Sequence, residues 1–155
     1  HQVAAETDVV DFIDLEYFEA KKPEKEIRIL QEMGVHVIAS HHDFEQTPER
    51  GVIRMLLEQI RESGADVVKL AVMPQSMQDV LDLLEETNAF HEKYPDKALI
   101  TMSMGALGAI SRVSGEFFGS CVTFGAGEQA SAPGQLPMGE LEQLLGTLHK
   151  SISRC

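Results

Sequence analysis

The stretch Asp66-Val67-Val68-Lys69-Leu70-Ala71-Val72-Met73-Pro74 decides the fold. It is apolar on both sides of the alternation instead of on one. That is the pattern of a strand buried on both faces, which occurs in parallel sheets covered by helices. Its single interruption is Lys69. A lysine there cannot stay charged and unpaired in a dry interior without large cost. Its head must reach a polar cavity or a carboxylate, or exist as a neutral amine. Desolvation lowers a lysine pKa and frees the nitrogen lone pair for attack on a carbonyl. The alternative is a lysine that snorkels to water at the strand end.

The same type of run recurs on either side. Val9–Asp14, Val35–Ser40, Ala98–Met102 and Cys121–Phe124 are short, apolar and rich in β-branched residues. Helix-period segments lie between them. Pro23–Met33 has Pro at a first position and stops at Gly34. Beyond Thr47-Pro48, apolar Val52, Ile53, Leu56, Leu57 and Ile60 share a face until Gly64. Ser76 caps a helix with Val80, Leu81, Leu83 and Leu84 inward and Asp79, Asp82, Glu85 and Glu86 outward. A shorter helix is expected over 106–115, and a last one carries Leu141, Leu144, Leu145 and Leu148. The order is five βα units, which implies right-handed crossovers and a parallel sheet. An open flavodoxin-like sheet and part of a (β/α)8 barrel both satisfy it.

Length and charge set the outer bounds. The 155 residues suit one domain, 1–155, and fall short of the roughly 250 that an eight-unit barrel takes. With 25 acidic against 13 basic residues the charge is -12, and no Lys/Arg cluster is present, which excludes nucleic-acid binding. No apolar run approaches the ~20 residues of a membrane span. Two cysteines, Cys121 and Cys155, make no disulfide framework and suit a reducing cytoplasm. The first residues lack the basic start and apolar middle of a signal peptide, and without an initial Met they read as a piece of a longer chain.

In parallel α/β sheets ligands gather at the C-terminal strand ends. The first strand closes on Asp14 and Glu16, two apart and therefore on one side, either a surface pair or an orienting pair for a catalytic base. The second closes on His41-His42-Asp43, of which one imidazole is expected to enter the site as acid or base. A metal reading of that triplet lacks any HxH or HxxxH spacing. Beyond the fourth strand, Arg112 offers two-point recognition of a carboxylate. The loop Ser131-Ala132-Pro133-Gly134-Gln135 follows the fifth and offers hydroxyl and amide contacts.

Five stretches then carry a family resemblance: IDLEYF (13–18), SHHDFEQTP (40–48), GADVVKLAVMPQS (64–76), ITMSMGALGAISR (100–112) and GSCVTFGAGEQASAPGQ (119–135). In this order they resemble type I 3-dehydroquinate dehydratase, the Schiff-base lyase of the shikimate pathway of aromatic amino acid biosynthesis. The resemblance implies a (β/α)8 (TIM) barrel and covers nearly the whole chain. It implies Lys69 as the imine-forming lysine and His42 as the general acid/base, with His41 at a variable position. Arg112 matches the substrate-carboxylate arginine, and Ser131 and Gln135 the loop residues that close over the substrate. Asp14 and Glu16 match acids near the histidine. No cofactor and no metal is implied, because the lysine supplies the electrophile. A class I aldolase shares the lysine, but the flanking motifs decide against it.

The resemblance begins at the fourth strand of that barrel. The expectation is therefore a partial barrel of five parallel βα units, open or completed by a partner chain. Three βα units have no counterpart, and with them a glutamate that pairs with the catalytic histidine, another acid and two substrate arginines. His42 is expected to lack its orienting carboxylate unless Asp14 or Glu16 substitutes. The two edge strands, Val9–Asp14 and Cys121–Phe124, are expected to drive homodimer formation or completion by the missing N-terminal segment. The expected partner is a small-molecule substrate, 3-dehydroquinate or a shikimate-like carboxylate, with turnover very weak or absent in this chain alone. The other expectation is a non-catalytic domain that binds such a ligand or serves in assembly.

Overall fold

The structure, a computed structural model, describes residues 10–153. Val9 of the expected first strand and Cys155 lie outside them. The described residues form one parallel sheet, β1 (Phe12–Glu16), β2 (His36–Asp43), β3 (Val67–Val72) and β4 (Ala98–Ser103), in sequential order. Helices α1 (Pro23–Glu32), α2 (Arg50–Glu62) and α3 (Met77–Lys93) connect them. Two short helices, α4 (Ala109–Val113) and α5 (Gly115–Phe118), follow β4, and α6 (Met138–Ile152) ends the described chain.

Local chemistry explains the helices. α1 has Pro at its first turn and ends before Gly34, whose φ of 85° no β-branched residue adopts without strain. α2 starts at Arg50 without a side-chain cap, so Thr47 caps nothing. Ser76 and Asp79 form a complete capping box on α3. Glu86, expected outward, is instead almost fully buried, with Arg50 and Arg54 of α2 donating to its carboxylate at 2.8–3.0 Å. The helical period places Glu86 on the seam between two helices, and two guanidinium groups make the burial tolerable.

The register fixes which side chains share a face. Asp14 lies opposite Ile38, Glu16 opposite Ser40, Ser40 opposite Lys69, and Lys69 opposite Ile100. One face therefore carries Asp14, Glu16, Ser40, His42, Lys69, Ala71, Ile100 and Met102. The other, with Ile13, Leu15, Val37, Val68, Leu70 and Leu99, packs on Ile27, Leu30, Ile53, Leu57, Ile60, Leu83 and Phe90 of the helices. β3 is buried at all six positions, as its sequence predicts. β1 and β2 are not: Phe12, Asp14 and His36 are exposed. A parallel sheet buries both faces only where something covers both. Among the described residues the side of β1 away from the helices stays open at Phe12 and Asp14.

The expected fifth strand also differs. Cys121–Phe124 forms no strand and meets β4 through one backbone bond, Cys121 N–H to Leu99 O at 2.8 Å. The Ser120 hydroxyl accepts the Thr101 amide at 3.0 Å and donates to the Thr101 carbonyl at 3.3 Å, so the ladder stops after one rung. The described sheet thus has four strands, with β1 and β4 at its edges.

Leu57, almost fully buried under the sheet, and Val52, exposed on the same helix, make a controlled pair. Leu57→Ala is expected to lower stability in urea unfolding by about 2–5 kcal/mol, and Val52→Ala to change it by less than about 0.5 kcal/mol.

Candidate active site

Lys69 is nearly buried, and its side chain crosses the intervening strand β2 to reach β1. There its ammonium donates to Asp14 Oδ2 at 2.5 Å. Two strand spacings of about 4.8 Å separate β1 from β3, and the small Ser40, opposite Lys69, leaves room for the crossing. The Phe124 ring lies 5.1 Å from Nζ and adds a cation–π contact. Asp14 is therefore a partner of the lysine, on the face that also carries the histidine.

Glu16 takes the histidine role instead. Its Oε2 is 2.6 Å from His42 Nδ1, and its Oε1 is 3.1 Å from His41 Nδ1. The His42 backbone N–H also donates to Oε1, at 3.2 Å. The two imidazoles start from opposite faces, as alternation demands, yet Glu16 stands at the strand end where both can turn to it. Both imidazoles therefore engage the one carboxylate. The carboxylate at His42 is thus supplied by Glu16, one of the two acids the sequence offers for that place. A carboxylate at Nδ1 favours the proton there and leaves the lone pair on Nε2. Phe44 stacks on the His42 ring, with centroids 5.7 Å apart and planes 9° from parallel. Phe18 meets His41 edge-on at 5.0 Å.

Partial burial of Glu16 pushes its carboxyl pKa up. The hydrogen bonds from His42 and His41, with the charge of His42, outweigh this and hold it below the ordinary value.

Arg112 is buried, and among the described residues no carboxylate meets it. One terminal nitrogen donates to the Pro133 carbonyl at 2.9 Å, the other approaches Met102 Sδ at 3.9 Å, and Nε has no partner among the described residues. Burial lowers its pKa. Met102 lies opposite Ala71, two residues beyond Lys69, so the guanidinium reaches the lysine-bearing face. An under-satisfied buried guanidinium is a receptor for an anion with planar, paired oxygens.

Ser131 is exposed, Gln135 is half-buried, and the two are bonded to each other. Gln135 Oε1 accepts from the Ser131 N–H at 2.7 Å, and Gln135 Nε2 donates to Ser131 Oγ at 3.0 Å. Their loop is docked on the end of β4: the Gly105 N–H donates to the Pro133 carbonyl at 3.1 Å. A Cβ at Gly134, where φ is 76°, would fall 2.2 Å from the Gly105 carbonyl, so this close approach requires glycine. The structure thus brings Lys69, Asp14, Glu16 and His42 together on one face and Arg112 to its rim. No contact of Ser131 or Gln135 with Lys69 or His42 is present. A separate open cleft of about 1010 Å³ lies between α6 and residues 120–125, lined partly by Arg112 but by none of the four clustered residues. Among the described residues no cluster of three or more His, Cys, Asp or Glu side chains is arranged to hold a metal ion. No described helix is long and apolar enough to cross a membrane.

Phe124, Phe44 and His41 were not singled out by the sequence for these contacts. Phe44 and His41 flank His42 in sequence, which is the available signal for them. Phe124 ends the expected fifth strand, the other place to look.

A parallel α/β sheet with a lysine, an imidazole and two carboxylates on one face defines the class as part of an α/β barrel. The comparisons agree with that class. The family model for type I 3-dehydroquinase matches residues 1–152, and the chain belongs to this family. It is 46% identical over 156 residues to a 3-dehydroquinate dehydratase of Bacillus licheniformis, covering 98% of this chain and 60% of the relative. A crystal structure of type I 3-dehydroquinate dehydratase from Clostridium difficile, covalently modified by comenic acid, superposes with a TM-score of 0.91 at 45% identity, over 97% of this chain and 59% of that one. The Geobacillus kaustophilus 3-dehydroquinate dehydratase structure gives 0.91 at 37% identity, over 96% and 58%. The chain therefore spans about three fifths of these relatives, and its fold is part of a (β/α)8 barrel.

The lowered Glu16 pKa carries a sign. Its ion pair contributes stability in full above the ordinary carboxyl value of 4.5 and loses it as pH falls through the lower folded value. Glu16→Ala is expected to lower the thermal midpoint at pH 6, by a margin that shrinks as the pH falls below 4.5. Calorimetry across that pH range checks this.

Proposed function

We propose that this chain carries the imine-forming part of a 3-dehydroquinate dehydratase site. The observation that carries the reading is the Lys69 amine, nearly buried on the same sheet face as a His42 whose Nδ1 is held by a carboxylate. In this reading Lys69 condenses with the C3 ketone of 3-dehydroquinate and releases water. The iminium draws electrons and acidifies the C2 hydrogen. Nε2 of His42 takes that proton and returns it to the C1 hydroxyl, which leaves as water. Hydrolysis of the iminium then frees 3-dehydroshikimate and the lysine.

Arg112 holds the substrate carboxylate with its unsatisfied guanidinium. Ser131 and Gln135 exchange their mutual bonds for bonds to the substrate as the loop settles. Glu16 fixes the His42 tautomer, a role whose loss costs orders of magnitude in other base catalysts. No cofactor or metal takes part. Turnover by this chain alone is very low, because the face that bears the site is open beside β1 and the chain spans three fifths of its relatives. The exposed Phe12 and Asp14 on that face favour completion by a homodimer contact or by a polypeptide equivalent to the rest of the barrel. They also give weight to a second reading, a ligand-binding or assembly domain without turnover. Residues 1–155 act as one domain, and the cytoplasm is the proposed compartment, in keeping with a free thiol at Cys121.

Borohydride reduction with 3-dehydroquinate is expected to leave a covalent adduct on Lys69, read by peptide mass spectrometry, and none in Lys69→Met. Turnover beside it is expected to stay far below that of a full-length relative; equal turnover refutes the incomplete site. Arg112→Met is expected to reduce adduct formation at low substrate concentration more than at saturation.

A further inference from the structure

Three successive residues of β2 grip the Glu16 carboxylate. His42 Nδ1 lies 2.6 Å from Oε2, and Ser40 Oγ donates to the same oxygen at 3.4 Å. Oε1 accepts the His42 backbone N–H at 3.2 Å and faces His41 Nδ1 at 3.1 Å. The His41 contact is the unexpected one, because that side chain starts from the helix side of the sheet. The register explains how it arrives. Pairing between β1 and β2 ends at Glu16 and Ser40, whereas β2 runs on to Asp43. Among the described residues no β1 residue pairs with His41, so its ring can turn around the edge of β2 to Glu16. Phe18 then closes on that ring edge-on at 5.0 Å.

We propose that His41 is a positioning residue, which clamps the second oxygen of Glu16 and through it sets the tautomer of His42. This rests on the proposed function, in which His42 is an acid/base of the site. The Glu16 carboxyl is held ionised, so it accepts from both rings and donates to neither. A glutamate side chain turns about three bonds, and about a quarter of this one is open to water. Held by a ring at Oε2 alone, it follows the motion of His42, and the imidazole is free to present either nitrogen. Held by rings at both oxygens it has one orientation. Oε2 then stays on Nδ1, and Nε2 keeps its lone pair. A reacting group keeps its place when the group that holds it is itself held. His41 supplies that outer hold without touching the reacting atoms.

Two substitutions separate this role from packing. His41→Phe keeps a ring against Phe18 and removes the donor. His41→Asn removes the ring and returns an N–H donor where Nδ1 stood. Long-range proton–nitrogen NMR on chain with isotope-labelled histidine reads which ring nitrogen carries the proton, at about pH 8, where a free imidazole is neutral. The unaltered chain is expected to show His42 in the Nδ1–H form. His41→Phe is expected to lose that single form and to show a mixture with Nε2–H, and His41→Asn to restore it, a rescue that a packing role would not give. Retention of Nδ1–H in His41→Phe, a mixture in His41→Asn as large as in His41→Phe, or a mixture already present in the unaltered chain overturns the role of His41. Borohydride trapping with 3-dehydroquinate on the same samples tests the underlying reading separately. No adduct on Lys69 in the unaltered chain overturns the imine chemistry, while the His42 tautomer still decides whether His41 holds Glu16 in place.

Discussion

One buried cation organises this molecule. β3 is covered on both faces, and the only way to keep a charged lysine at its centre is to bring a carboxylate to it. That carboxylate comes from two strands away. The order β1-β2-β3, the one-to-one register across it and the small Ser40 between are what make the pair possible. A slip of one residue in β1 would turn Asp14 and Glu16 together onto the helix side. The ion pair thus reads out the register, and the register delivers both acids to the lysine-bearing face at once.

The same face separates charges by strand. β1 supplies only acids, β2 the imidazole, β3 the amine, and the rim beyond β4 a guanidinium without a carboxylate. Positive charge on the far side is less well neutralised than on the near side. An elongated molecule with an anionic end has a preferred direction in such a field. The Pro133 carbonyl on Arg112 ties the loop 131–135 to that cation.

Most of this was legible in the sequence for a physical reason: buried parallel strands and the lysine that interrupts one are local signals. The doubly apolar run at 66–74, the capping box at Ser76 and the stop at Gly34 need no tertiary information. What was not legible depends on partners distant in sequence. Glu86 looks like any outward acid until α2 brings two arginines to it. Asp14 and Glu16 are a matched pair in sequence, and only the sheet decides that one meets the lysine and the other two imidazoles. The apolar run 121–124 reads as a strand because composition cannot reveal that the hydroxyl before it occupies the amide its ladder needs.

That hydroxyl has a wider effect. By plugging the hydrogen-bonding row of β4 with a side chain, Ser120 leaves the described sheet with a single live border, at β1. Any strand that lengthens the described sheet must therefore hydrogen-bond at β1, whichever polypeptide supplies it.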